Sequence, residues 1–506
     1  MPARLLAALD SPFTRRTLLG GVIVTVLLFA VLAAHWRPLW YDELFTLYVA
    51  SEPTPGDVLR ALLKGADTNP PVDYLLRHAS LTSFGDSSAA FRWPSAAAFV
   101  AGQLAIFAYV RTRAPFLAAA GAALLPVATA AVFFTYEGRA YALLFASAPI
   151  ALWAWQRAAE RSGRPLRLVL LLGALCLGPY SHYYGVLNFL PVTAGEALRW
   201  RRQRRIDWPM AAVIAAAAVL TLGLLVFARN ASGMQGSFWA AGFRFAELPG
   251  YYSGFLGYAG GAAYIVIGVA VALAALGWRG SSPAERPAVP AHEILAAVVL
   301  ILTPVSAFLL AVIATGALTS KYTITLVAGV AILVGYLLAC GEARHRGLVA
   351  ATAVLLAIWA AGRHASSALD YRGSEPIPAA IRDALARSSQ PVAFDSPHLF
   401  LQFVHYEPQL AGRFFYPMDA AMALEVRGFN NDEIALRGLQ QIRPLNVVGY
   451  RDFVDRHDTF LVVYSRVFWP ALVKALRRDG YCLAKVTDSG STELLQAFPG
   501  CASAAR

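Results

Sequence analysis

Long apolar runs, separated by short polar breaks, fill the chain from residue 17 to residue 364. A helix needs about 20 mostly apolar residues to cross the hydrocarbon core of a bilayer. Runs of this kind lie near 17–35, 89–110, 115–134, 139–156, 167–181, 184–198, 209–228, 258–277, 293–315, 322–340 and 347–364. The pattern predicts about eleven transmembrane helices, with the fifth and sixth short. No small-residue cleavage pattern follows the first run, so it reads as an anchor rather than a signal peptide.

The text changes near Ala365, where charged and apolar residues mix. A boundary there divides the chain into a membrane domain, 1–364, and a second domain, 365–506. Segments 391–396, 445–450 and 459–465 read as short buried strands. Segments 376–388 and 468–480 carry helical periodicity, and Gly480 suits a helix end. Strand and helix alternate, which predicts a small α/β sheet domain. It contains no glycine-rich dinucleotide or phosphate-loop motif. A lid or acceptor platform fits it better than a second active site.

Composition supports the membrane reading. The chain is 58% hydrophobic and 15% charged, with mean hydropathy +0.52. Those values exclude a disordered chain and disfavour an ordinary soluble enzyme. Four cysteines exclude a disulfide scaffold. Cys482 and Cys501 both fall in the second domain and are candidates for a bond in an oxidising compartment, their distance being undetermined by sequence. Cys176 and Cys340 lie in or near spans and read as inert.

A formal charge of +12 raises the question of nucleic acid. Its placement answers otherwise. Arg4, Arg15 and Arg16 precede the first run, and Arg111 and Arg113 follow the second. Arg157, Arg161, Arg164 and Arg167 follow the fourth; Arg199, Arg201, Arg202, Arg204 and Arg205 follow the sixth. Arg279 and Arg286 follow the eighth, and Arg344 and Arg346 the tenth. Every second loop is basic, the signature of cytoplasmic loops. The N-terminus is then inside, the C-terminal domain outside, and nucleic acid is no partner.

That orientation places the acids and aromatics of the other loops on the outer face. Outer loop 35–88 carries Asp42, Glu43, Asp67 and Asp73; the next outer turn carries Tyr136, Glu137 and Arg139. A third carries His182, Tyr183 and Tyr184, and a later one Lys321 and Tyr322. Each also has a plainer reading. Asp42 and Glu43 suit the start of a helix as well as catalysis. Pro70 and Pro71 permit a helix starting at about Pro71, with Asp73 in its favourable first turn. Glu137 and Arg139 could pair, or Arg139 could match a phosphate. His182 among tyrosines suits an interfacial polar cluster, and Lys321 could snorkel. The Asn230-Ala231-Ser232 triplet fits a glycosylation pattern that is common by chance.

Five segments in order resemble the GT-C superfamily of membrane glycosyltransferases, in the bacterial branch related to protein mannosyltransferases and the lipid A aminoarabinose transferase. They are Tyr-Asp-Glu (41–43), Asn-Pro-Pro-Val-Asp-Tyr (69–74), Phe-Arg-Trp-Pro-Ser (91–95), Tyr-Glu-Gly-Arg-Ala-Tyr (136–141) and Ser-His-Tyr-Tyr-Gly (181–185). Asn69 stands where the family usually has His. The resemblance covers roughly residues 15–200 well and 200–360 loosely. It implies a GT-C-like polytopic α-helical membrane protein in a bacterial inner membrane; the small extracytoplasmic α/β domain that follows adds no family signal.

It further implies transfer of a sugar from a polyprenyl-phosphate donor to a lipid, glycan or protein acceptor, with inversion and an aspartate base. A lipid phosphate is already a stable anion, so it needs cations more than an acid. The acceptor hydroxyl needs a base. Asp42 is the base in this reading. Arg139 and Lys321 are phosphate ligands, with His182, Tyr183 and Tyr322 beside them; Glu43, Asp73 and Glu137 position the acceptor or hold the cations. The acids leave a divalent metal open without a motif that demands one. A transporter or lipid flippase, or an oligosaccharide ligase using a lipid diphosphate, are the alternatives; no internal repeat favours a transporter.

Overall fold

A computed structural model describes residues 11–160, 163–232, 238, 240–280, 287–467 and 470–501. Arg4, Arg161 and Arg286 of the basic pattern lie outside the described residues. The chain forms two compact units. One comprises Met1–Trp36, Asn69–Val226 and Phe243–Arg372; the other comprises Arg37–Thr68, Phe227–Gly242 and Gly373–Arg506. The expected boundary near Ala365 falls close to the Arg372/Gly373 division. Grouping of 37–68 with the C-terminal residues was not anticipated.

The first unit is helical. Pro12–Trp36, Ser88–Arg111, Tyr141–Ala159 and Arg164–Ser181 match apolar runs almost end to end. Other runs are interrupted. The third is helical over Phe116–Leu124, then passes at Pro126 into 3-10 turns Leu125–Ala128 and Ala130–Tyr136. Its two halves meet at 79°. The ninth breaks between Ala291–Ile301 and Thr303–Leu310, where Pro304 lacks the amide hydrogen that would continue the ladder. The last two runs join as Leu326–Tyr371, interrupted only by non-helical backbone at His345. Among the described residues, four helices are long and apolar enough to span, or seven if each sharply bent pair counts once. The expected eleven is therefore not reached by that test, because several runs are bent or short.

Small residues let these helices approach closely. A Cβ on Gly102 would sit 2.7 Å from the Phe145 ring and 3.1 Å from Ala146 Cα, so Ser88–Arg111 crosses Tyr141–Ala159 in near backbone contact. At one end of the unit, basic residues of the loop pattern are committed to buried acids. Glu293 accepts from Arg113 at 2.6 Å, Gln156 at 2.9 Å and Tyr336 at 3.3 Å. Arg199 binds Glu196 and reaches Asp207 at 2.6 Å, while Trp155 donates to Glu196 at 2.7 Å. These arginines therefore also staple helices. The acids are not confined to the opposite face.

The second unit holds a six-stranded sheet. Its strands are β1 (Val392–Phe394), β2 (Phe414–Met418), β3 (Val447–Gly449), β4 (Phe460–Ser465), β5 (Tyr481–Ser489) and β6 (Thr492–Pro499). Their order is β3-β2-β1-β4-β6-β5. The first four pair in parallel, and β6 pairs antiparallel with both β4 and β5. The three expected strands are β1, β3 and β4. The expected helices appear as Ala379–Ala386 and Ala471–Arg478; Phe468 and Trp469 at the start of the latter segment lie outside the described residues. Cys482 and Cys501 are bonded, with Cα atoms 5.1 Å apart. The same unit contains helices Tyr41–Ala50 and Pro55–Leu63.

Candidate functional site

In the first unit, three of the sequence segments lock together through one arginine. Asp73 lies in the first turn of helix Val72–Phe84, and Arg77 lies one turn later. Both are buried. Arg77 donates to Asp73 from Nε at 3.0 Å and from Nη2 at 2.8 Å. It also donates to the carbonyls of Phe91 (2.7 Å) and Arg139 (3.1 Å) and to Ser95 Oγ (2.9 Å). Ser95 Oγ in turn donates to the Glu137 carbonyl at 2.6 Å. Backbone around Glu137 and Arg139 is thus held by side chains from two other helices. Gly138 is required there: a Cβ would lie 2.1 Å from the Phe91 ring. Asp73, read earlier as a contributor to acceptor positioning, spends both carboxylate oxygens on Arg77.

Arg77 was missed by the sequence reading. Its signal was present, since Asp and Arg four apart on a helix face one another.

The second feature of this unit is an aromatic and cationic cluster. His182 ends helix Arg164–Ser181, its amide bonded to the Gly178 carbonyl at 2.9 Å. The chain then doubles back so tightly that a Cβ on Gly185 would lie 2.0 Å from the Gly178 carbonyl carbon. This turn presents the buried His182 ring to Tyr322 (centroids 4.6 Å), Tyr141 (5.6 Å) and Tyr184 (5.9 Å). Tyr322 lies 4.9 Å from Tyr184. Lys321, on the 3-10 turn Ser320–Thr323, holds its ammonium 5.1 Å from the Tyr141 ring centre. The positive charges of Arg139 and Lys321 both act on His182.

His182 Nδ1 accepts the Tyr184 amide at 3.3 Å. In the neutral ring that leaves Nε2 as the donating nitrogen. Two cations and a ring N–H among tyrosines suit an anion with several oxygens. His182, Lys321 and Tyr322 are therefore brought together around Tyr141, and the charge of Arg139 acts on His182. Tyr184 takes part in these ring contacts, and Tyr183 beside it is partly buried. Glu137 is buried, and its carbonyl anchors Ser95.

In the second unit, Asp42 and Glu43 open helix Tyr41–Ala50. They divide their work, as adjacent helical residues pointing apart must. Glu43 is fully buried, and its Oε2 accepts the Trp40 amide at 3.3 Å, so it caps its own helix. Asp42 is partly buried, and its charge acts on His398 and Asp432. Neither partner was anticipated. Among the described residues, no group of three or more His, Cys, Asp or Glu side chains is gathered as metal ligands.

Comparison with known proteins adds to this geometry. The family described as dolichyl-phosphate-mannose-protein mannosyltransferase matches residues 68–230. That stretch contains Asp73, Arg77, Glu137, Arg139 and His182, while Asp42, Lys321 and Tyr322 lie outside it. Among solved structures, ArnT from Cupriavidus metallidurans in the apo state aligns over 95% of this chain and 98% of its own, with TM-score 0.59 and 14% identity. The same protein bound to undecaprenyl phosphate aligns over the same shares, with TM-score 0.58 and 13% identity. At such identity the likeness is one of fold. An oligosaccharyltransferase from Archaeoglobus fulgidus, in the apo form, aligns over 88% of this chain and 69% of its own, at 13% identity and TM-score 0.44, too loosely to carry an argument. No curated protein matches the chain.

Proposed function

We propose that the chain is a membrane glycosyltransferase of the GT-C superfamily and that it transfers a sugar from a polyprenyl-phosphate donor to an acceptor outside the bacterial cytoplasmic membrane. The observation that carries the donor assignment is the convergence of Arg139 and Lys321 on His182 inside a ring of tyrosines. The undecaprenyl phosphate bound by the similarly folded ArnT supports the same lipid class.

Arg139 and Lys321 neutralise the phosphate as the sugar–oxygen bond breaks, and His182 Nε2 and the Tyr322 hydroxyl supply further donors. Asp42 takes the proton from the acceptor hydroxyl as that oxygen attacks the anomeric carbon. A single displacement of this kind inverts the anomeric centre. Glu43 and Asp73 serve as positioning groups, through the helix start and through Arg77 respectively. The second unit faces the extracytoplasmic side and the N-terminus the cytoplasm, in accord with the basic loops.

The test is transfer of radiolabelled sugar in purified membranes, with polyprenyl monophosphate and diphosphate donors compared. The reading expects turnover with the monophosphate donor and none in Asp42→Asn. Near-normal turnover by Asp42→Asn would remove Asp42 as the base, and preference for the diphosphate would favour an oligosaccharide ligase.

A further inference from the structure

The helix that carries Asp42 belongs to the same compact unit as the C-terminal sheet. Its first turn is met by a set of polar side chains from that sheet's connections. Tyr41 stacks on His398, with ring centroids 4.2 Å apart and planes at 25°. Its hydroxyl donates to Asp432 Oδ1 at 3.5 Å. His398 Nε2 lies 3.9 Å from Asp432 Oδ2, and Arg427 Nη1 lies 3.5 Å from that same oxygen. Asn431 Nδ2 donates to Asp432 Oδ1 at 3.1 Å. Behind them Arg427 binds Glu433, and the Tyr416 hydroxyl donates to Glu433 at 2.7 Å. Asp42 itself acts electrostatically on both His398 and Asp432.

The topology explains why these groups meet. His398 lies on helix Pro397–Tyr406, which follows β1. Tyr416 lies on β2, and Arg427 closes helix Ala420–Arg427 after it. Parallel strands run in the order β3-β2-β1-β4, so the chain changes direction of travel beside β1. Open α/β sheets place ligands outside the carboxyl ends of their strands at such a point. Glu433, Arg427, Tyr416 and Asp395 line a small polar crevice there. Glu433 is 2% exposed, and its Oε2 has no hydrogen-bond partner.

We propose that His398 and Asp432 are positioning residues for Asp42, so that the C-terminal domain supplies the second half of the base end of the transferase. This inference rests on the sugar-transfer reading of Asp42. An isolated aspartate is a weak base; a second carboxylate nearby raises its proton affinity, and an imidazole beside it fixes its orientation. Burial, with Glu433 and Asp42 adding to it, pushes the Asp432 carboxyl up to about 7. Burial holds His398 down to about 4, so its ring is neutral at neutral pH. The charged and titratable groups around this pair are Asp42, Tyr41, Arg427, Glu433 and Tyr416.

Two measurements on the full-length protein test this. The first is the pH profile of sugar transfer. His398→Gln should lower kcat by about 10- to 100-fold, part of the roughly 10²–10⁴ a positioned base supplies, with KM for the lipid donor unchanged. Asp432 titrates near 7 and its charge then strengthens Asp42 as a base, so the wild-type kcat/KM profile should carry an acid limb near pH 7 that Asp432→Asn loses. Asp432→Glu should restore the wild-type limb. A merely structural role would reduce the active fraction and leave the limb in place, and that result would overturn the proposal. The second needs no turnover. In protein carrying ¹³C-carboxyl aspartate, the resonance lost in Asp432→Asn should titrate near 7, and lower in Asp42→Asn. An unmoved midpoint would overturn the proposal even in an active enzyme. A moved midpoint in a wild type unable to transfer sugar would instead overturn the transferase reading.

Discussion

Asp73 grips Arg77 with both carboxylate oxygens, at 2.8 and 3.0 Å, and the same guanidinium reaches the Arg139 carbonyl at 3.1 Å. The pair therefore does more than close one helical turn. It sets the backbone from which Arg139 projects. Removing one partner of a buried pair costs about 3–5 kcal/mol, because the other charge is left uncompensated. Asp73→Asn should lower the unfolding midpoint in detergent by a cost of that order and reduce sugar transfer through Arg139. Arg77→Lys should do nearly as much, since an ammonium cannot reproduce the planar fork. Thermal unfolding measured alongside transfer checks both; an Asp73→Asn protein of wild-type stability would count against the role given to the pair.

Arg139 and Lys321 carry the donor phosphate in the proposed reaction. Arg139→Ala and Lys321→Ala should each reduce turnover by about 10²–10³-fold, the usual scale for losing one group that stabilises developing charge. Arg139→Lys should fall between, keeping charge but losing the two-pronged geometry. Steady-state transfer with a polyprenyl monophosphate donor measures these effects. Wild-type kcat and KM in both alanine variants would reduce the cluster to interfacial packing.

Much of this was legible in the chain, for identifiable reasons. Apolar runs located helices such as Ser88–Arg111 and Tyr141–Ala159 because burial and span length leave a direct trace in composition. Arg139, His182, Lys321 and Tyr322 were singled out because ionisable groups are costly near a membrane unless employed. Strands β1 and β4 were visible as apolar runs with largely buried positions. By contrast β5 is partly or fully exposed along its length and shows no buried alternation, and β2 carries Pro417, which weakens its strand pattern. The partnership of Tyr41 with Asp432 spans 391 residues of chain. No local pattern encodes it, so the C-terminal domain was read as a bland platform.

The disulfide Cys482–Cys501 joins the start of β5 to the residue chain just beyond β6. The Cys501 amide also donates to the Gly480 carbonyl at 3.1 Å, so the hairpin base is held twice. A cross-link over 19 residues removes about 3 kcal/mol of unfolded-chain freedom. Replacing both cysteines by serine should destabilise the α/β unit by about that amount. Hydrogen exchange at β5 and β6 amides should accelerate accordingly. Protein labelled with an alkylating agent before and after reduction should gain two adducts at these positions; labelling of both without reduction would show the bond to be absent.

Asp395 follows β1 and is buried, with Oδ1 accepting the Leu472 amide at 2.6 Å. Burial outweighs that bond and pushes its carboxyl up to about 7 from an ordinary 3.8. The folded state therefore holds a proton that the unfolded chain releases at lower pH. Its contribution to stability is fully present below about pH 4 and is lost as pH rises to about 7. At 1.36 kcal/mol per pH unit, the whole contribution is about 4 kcal/mol. Asparagine keeps the accepting oxygen and cannot ionise. Asp395→Asn should thus be more stable than wild type at pH 8, nearly equal to it at pH 4, and flatter between them. Exchange protection of the β1 amides, followed from pH 4 to 8 in both proteins, measures the difference; parallel profiles would show that Asp395 stays ionised in the folded domain.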